Sequence, residues 1–155
     1  MAEVDEFLGS VLPRLHEMEM ALHSGDVGPR FATWSHNDPV TLFGARLSGS
    51  GWTKIAPAFE WVAAKFSKGE SYEYEVISAG ASGDLAYIVG YEHTKAAVGS
   101  GPPEAYELRV TTIFRREDGE WKVIHRHADP MLDSDSARRH WARFDEPGFE
   151  SASTP

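Results

Sequence analysis

The chain has no cysteine among its 155 residues. That excludes disulfides, thiolate nucleophiles and thiolate metal sites, and it fits a reducing, cytoplasmic setting. Basic charge is scarce. Lys and Arg number 15 against 24 Asp and Glu, for a formal net charge of −9. Affinity for nucleic acid rests on clustered cations, so no nucleic-acid partner is expected, and no anionic membrane surface. Long apolar runs are missing as well. No stretch approaches the roughly 20 apolar residues of a membrane span, and the start lacks the basic and apolar regions of a secretory leader. Gly49-Ser50-Gly51 precedes a helical pattern but lacks the Lys-Ser/Thr of a phosphate loop. No cofactor is expected.

What remains is enough for one domain with a real core. Val4, Phe7, Leu8, Val11, Leu12, Leu15, Met18 and Leu22 recur at helical spacing. Pro13 falls inside this pattern and predicts a kink or a break near Leu12. Asp26 can cap a short second helix carrying Phe31 and Trp34. A polar turn at residues 35–39 leads to a short strand, Val40 to Phe43, and residues 44–51 read as a loop. Trp52, Ile55, Ala56, Phe59, Val62, Ala63 and Phe66 form the clearest amphipathic stripe. Pro57 requires that this helix begin just before it, and Gly69 predicts its end.

From there the period becomes two. Residues 72–79, 85–97, 105–116 and 120–128 read as strands joined by short links, which favours antiparallel neighbours. The order predicts an α+β fold, helices covering one face of a curved, mainly antiparallel sheet. Residues 1–130 would form this domain. Asp133 to Phe144 can add a helix, and residues 146–155, rich in Ser, Gly and Pro, predict a flexible tail. Glu17, Glu19, Asp133 and Asp135 read as solvated charges.

The densest chemistry lies in Glu120-Trp-Lys-Val-Ile-His-Arg-His-Ala-Asp129. Strict alternation puts Trp121, Val123, His125, His127 and Asp129 on one face, and Lys122, Ile124, Arg126 and Ala128 on the other. A one-residue bulge would exchange part of these sets. Two histidines and an acid on one strand face raise the question of a metal. They could share one only with a further ligand from elsewhere, and none is evident, so no metal is expected.

The chain resembles the nuclear-transport-factor-2-like superfamily, a cone-shaped half-barrel, and within it the SnoaL-like and ketosteroid-isomerase-like branch. Trp34, the segment His36 to Gly44, Gly51-Trp52 and the ending Asp118 to Asp129 carry the resemblance, which spans about residues 4–130. It implies a ligand between helices and concave sheet, a small apolar or carbonyl-bearing molecule. It also implies a homodimer built through the convex face. The superfamily holds isomerases, cyclases, dehydratases and non-catalytic adaptors, so an enzyme and a binding or assembly module both stay open.

The resemblance also suggests roles. Asp38, in Asn37-Asp38-Pro39-Val40, matches a segment whose aspartate moves a proton in ketosteroid isomerases; otherwise it is a turn aspartate. His36 beside it can shuttle a proton or bond a turn carbonyl. Arg126 would face the cone if the even-numbered residues do, binding a ligand oxygen or pairing with a buried acid; the other parity makes His127 the pocket group. Trp34 and Trp52 would line the ligand site, Tyr91 would donate to a ligand oxygen, and His93 would sit at the wide end. Isomerases of this type use a tyrosine as oxyanion donor, and residues 1–23 contain none. That departure counts against isomerase activity itself.

Overall fold

A computed structural model describes residues 2–145. The expected flexible tail, residues 146–155, lies outside the described residues. Helix α1 (Glu3–Leu22) is continuous through Pro13. The helix is thus not broken there: Pro13 and Gly9, whose carbonyl loses its partner, are both exposed, so water can take the carbonyl. Glu3, Asp5 and Glu6 complement the positive end of the helix dipole. Helix α2 (Gly28–Thr33) follows, with Asp26 Oδ1 accepting from the Gly28 amide at 2.9 Å.

Strand β1 (Thr41–Phe43) is followed by β2 (Ser48–Ser50), inside the stretch read as loop. Three residues of Ser and Gly carry no apolar alternation, so sequence pattern could not reveal this strand. Helix α3 (Trp52–Lys65) contains Pro57 beyond its first turn, again on an exposed position. It ends before Gly69, because Phe66 already starts strand β3 (Phe66–Ser82). Strands β4 (Leu85–Val98), β5 (Glu104–Glu117) and β6 (Glu120–Met131) complete the sheet. Helix α4 (Asp135–Ala142) and a 3-10 turn (Arg143–Asp145) close the described chain.

The six strands run in the order β2-β1-β6-β5-β4-β3. β3 to β6 form an antiparallel meander, and β1 joins β6 in parallel, pairing Leu42 with Arg126. Register shifts between Ser67 and Ser71 and between Val76 and Ser78 bend β3. Gly90 sits opposite Val76 at this bend. A Cβ there would fall on the Glu75 carbonyl oxygen and the Tyr74 ring, so the curvature needs a residue without a side chain.

Two apolar clusters fill the concave side. At the narrow end Phe7, Val11 and Leu15 of α1 and Ile55 and Phe59 of α3 meet Ile88, Phe114 and Trp121 of the sheet. Each such side chain, fully buried, contributes about 1.5–3 kcal/mol. At the wide end Phe66, Val98, Tyr106 and Leu108 meet Ala137 and Phe144 from the C-terminal segment. No helix of the described residues is long and apolar enough to cross a membrane.

Candidate functional site

The cone keeps a cavity of about 70 Å³ at its wide end, bordered by α1, α2, the β1–β2 loop, α3, β5, β6 and the C-terminal segment. Arg126 reaches it through a bulge. Ile113 pairs with His125 but Phe114 pairs with Val123, so Ile124 is an extra residue in β6. Trp121 and Val123 face the core before the bulge; Arg126 and Ala128 face it afterwards. Strict alternation therefore fails at one residue, and that residue turns His125, His127 and Asp129 to the convex side.

Arg126 is buried and forked onto Glu92 of β4, its two terminal nitrogens donating to the two carboxylate oxygens at 2.6 and 2.9 Å. The Tyr72 hydroxyl donates to the same carboxylate at 2.7 Å. Burial by itself would raise the Glu92 carboxyl; the Arg126 charge and these hydrogen bonds outweigh it and hold the group below the usual carboxylate range. A second buried pair lies across the cavity wall, where Arg30 of α2 donates to Glu19 of α1. The Arg30 guanidinium also lies 4.9 Å over the Phe59 ring.

One helical turn beyond Glu19, His23 is buried at the end of α1. Its Nδ1 lies 2.7 Å from the Glu19 carbonyl oxygen, and its Nε2 contacts the Tyr106 hydroxyl. A carbonyl can only accept, so Nδ1 carries the proton of the neutral ring and Nε2 accepts from Tyr106. Burial pushes the His23 pKa down, against the pull of Glu19, which keeps the ring neutral. Burial and the carboxylates of Glu19 and Glu92 raise Tyr106 well above the usual phenol range. The arrangement is a hydroxyl on the cavity wall, hydrogen-bonded to a neutral imidazole, with the Glu19 carboxylate 3.7 Å from that imidazole.

Of the site residues expected from sequence, Arg126 alone borders this cavity. Asp38 is exposed, and its Oδ1 accepts from the Trp52 amide at 3.0 Å, capping the start of α3 from outside. His36 is exposed, donates from Nε2 to the Phe31 carbonyl at 2.8 Å, and stacks on Trp52 at 3.9 Å. Trp34 is fully buried edge-on to Phe59, a packing role. Glu92 points inward, so alternation sends Tyr91 and His93 outward; His93 lies between Glu75 and Glu107, at 2.9 and 3.3 Å. His127 is exposed beside Asp129.

Glu19, His23, Arg30, Glu92 and Tyr106 did not stand out in the sequence. Glu19, read as solvated, is buried. The signal was present: Leu15, Glu19 and His23 follow one another at i+4 on the buried stripe of α1. Glu92 likewise shares the inward parity of Ile88 and Thr94.

Residues 11–133 match the SnoaL-like domain family. The chain belongs to that family. No curated protein matches it. Among solved structures, a candidate dehydratase of the nuclear-transport-factor-2-like family from Streptomyces avermitilis is similar, with TM-score 0.65 and 20% identity over 83% of this chain and 98% of that one. A nuclear-transport-factor-2-like protein of unknown function from Shewanella baltica gives 0.63 and 14% over 86% and 99%. A candidate calcium/calmodulin-dependent protein kinase type II association domain from Thiobacillus denitrificans gives 0.58 and 16% over 74% and 90%. At these identities the solved structures establish the cone fold of this SnoaL-like domain, and its chemistry must be argued from its own cavity.

Arg126→Met leaves the Glu92 carboxylate in the core without its countercharge, with only the Tyr72 hydroxyl still donating to it. Loss of about 3–5 kcal/mol is expected in chemical denaturation, while a Glu92→Leu/Arg126→Met double variant should recover most of it. A double variant as unstable as the single one would show that the pair is not a coupled unit.

His140 of α4 gives a pH dependence. It is buried, stacked 3.8 Å from the Tyr106 ring, and neither ring nitrogen has a hydrogen-bond partner among the described residues. Burial first, and then the neighbouring His23 and Arg143, which disfavour a further positive charge, pull its pKa down to about 3. An unfolded chain takes up this proton near pH 6.5, so the stability that neutral His140 gives is present above that pH and is lost as pH falls towards 3. Unfolding free energy measured from pH 7 to pH 4 should drop more steeply for the native chain than for His140→Phe; parallel curves would remove His140 from the account.

Proposed function

We propose that this SnoaL-like domain binds a small apolar or carbonyl-bearing molecule in its cone and acts on it by proton transfer, as an isomerase, cyclase or dehydratase does. The observation that carries this reading is the Tyr106–His23–Glu19 relay on the cavity wall. A substrate proton passes to the Tyr106 oxygen as the tyrosine's own proton moves to His23 Nε2. The substrate becomes an anion, the imidazole becomes imidazolium, and the tyrosine is unchanged. Burial lowers His23 and raises Tyr106, so the resting proton affinities oppose this step; the Glu19 carboxylate beside the imidazole and the Arg126 guanidinium on the cavity wall offset that cost by stabilising the imidazolium and the new oxyanion. The reverse transfer, to a different atom, completes an isomerisation or expels water. Asp38 takes no part, because its carboxylate is on the outer surface capping α3.

The test needs no known substrate. A panel of small cyclic ketones in D2O should gain deuterium next to the carbonyl faster with the protein than without it. Tyr106→Phe should lose about 10²–10⁴-fold of that acceleration. Equal exchange by the native chain and Tyr106→Phe would dismiss the relay.

The convex face favours an assembly role beside the catalytic one. Ile77, Leu85, Tyr87 and Val89 expose apolar surface there, and a contiguous apolar patch on a sheet face marks an interaction site. A homodimer through this face would cover it. Light scattering should give twice the 17.2 kDa chain mass, and Ile77→Asp should give a monomer. A native monomer at micromolar concentration would refute the dimer. A cytoplasmic location is part of this proposal.

A further inference from the structure

The cavity is bordered by two buried donors that the fold leaves unused. Arg30 is 4% exposed; a terminal nitrogen is engaged by Glu19, yet its Nε has no partner among the described residues. Trp141 of α4 borders the same cavity, and its Nε1, also buried, has none either. Indole N–H and guanidinium N–H can only donate. Both therefore seek acceptor oxygens, and the one on a cation favours a charged oxygen, since charge-assisted hydrogen bonds are the strong ones. The carboxylates at hand are already engaged: Glu19 by Arg30, and Glu92 by Arg126 and Tyr72. An amine entering here would have to compete with two arginines for them.

The second donor comes from a segment outside the family match. That match ends at residue 133, and α4 begins at Asp135. The helix is nonetheless fastened as a wall. Ser134 caps it through the Ala137 amide at 3.1 Å, Ser136 donates to the Ala105 carbonyl at 2.8 Å, and Arg139 donates to Glu104 at 2.8 Å. His140 stacks on Tyr106, and Trp141 stacks with Phe144 at 5.1 Å.

We propose that the molecule held in the cone is a small carboxylate, bound by Arg30 Nε and Trp141 Nε1, and that α4 is an integral wall of the binding site. This rests on the reading of the cone as a ligand site and narrows it to one chemical class. The carboxylate sets the orientation of the molecule, leaving its carbonyl-bearing part to Tyr106.

The test uses the full chain with acetate and benzoate, and with their neutral amides, acetamide and benzamide. Binding is followed by calorimetry and by the rise in melting temperature. At least one carboxylate should bind, at least about tenfold tighter than its amide. Trp141→Phe keeps the ring and removes the N–H; it should weaken the carboxylate about tenfold and leave the amide unchanged. Arg30→Lys keeps the cation beside Glu19 and removes Nε; it should weaken the carboxylate similarly. Amide and carboxylate binding alike would overturn the assignment of ligand class, and undiminished carboxylate binding by Trp141→Phe would overturn the role of α4. In both cases the cone remains a ligand site. Binding of none of the four probes would overturn this inference and count against the cone as a site at all.

Discussion

The Glu92–Arg126 pair constrains the whole interior. Two of the full charges buried in the cone meet here, and neither can be left alone there. The pair holds because the fork of the guanidinium meets both carboxylate oxygens and Tyr72 completes the set. It also fixes β6 against β4 across β5, between which no direct backbone hydrogen bonds run. Its presence keeps the floor of the cone polar, and a polar floor beneath aromatic walls is what gives the cavity any chemistry.

Around that floor the functional groups are supplied by several different elements. His23 stands at the end of a long helix, and Arg30 on a short one beside it. Tyr106 is in the central sheet. α4 then brings His140 and Trp141 over the wide end, packed mainly by ring contacts. The opening is about 70 Å³, well below the roughly 300–1,000 Å³ of sites that hold larger ligands. A molecule of modest size follows from that figure.

Much of the architecture was legible in the chain. The α1 stripe, the α3 stripe and the four-strand meander all follow from local periodicity, and the ending Asp118 to Asp129 pointed to the family that residues 11–133 match. The short elements were harder. β2 has no apolar alternation to read, and the prolines of α1 and α3 sit on solvent faces where the helix tolerates them. The site was less legible still. Asp38, His36, Tyr91, His93 and His127 drew notice as polar groups in turns and on strands. Each is on the outside, capping, stacking or paired on the surface.

The reason is a matter of range. Periodicity is set by neighbours a few residues apart, so the sequence alone settled where most helices and strands lie and that Arg126 and His127 take opposite faces. Which face became the interior depended on a single bulged residue, Ile124, in pairing with β5. Partners lay far along the chain: Arg126 and Glu92 are 34 positions apart, His23 and Tyr106 83. Only folding brought those groups together, because a buried charge or hydroxyl finds its partner through the packing of whole elements, and no local pattern records that.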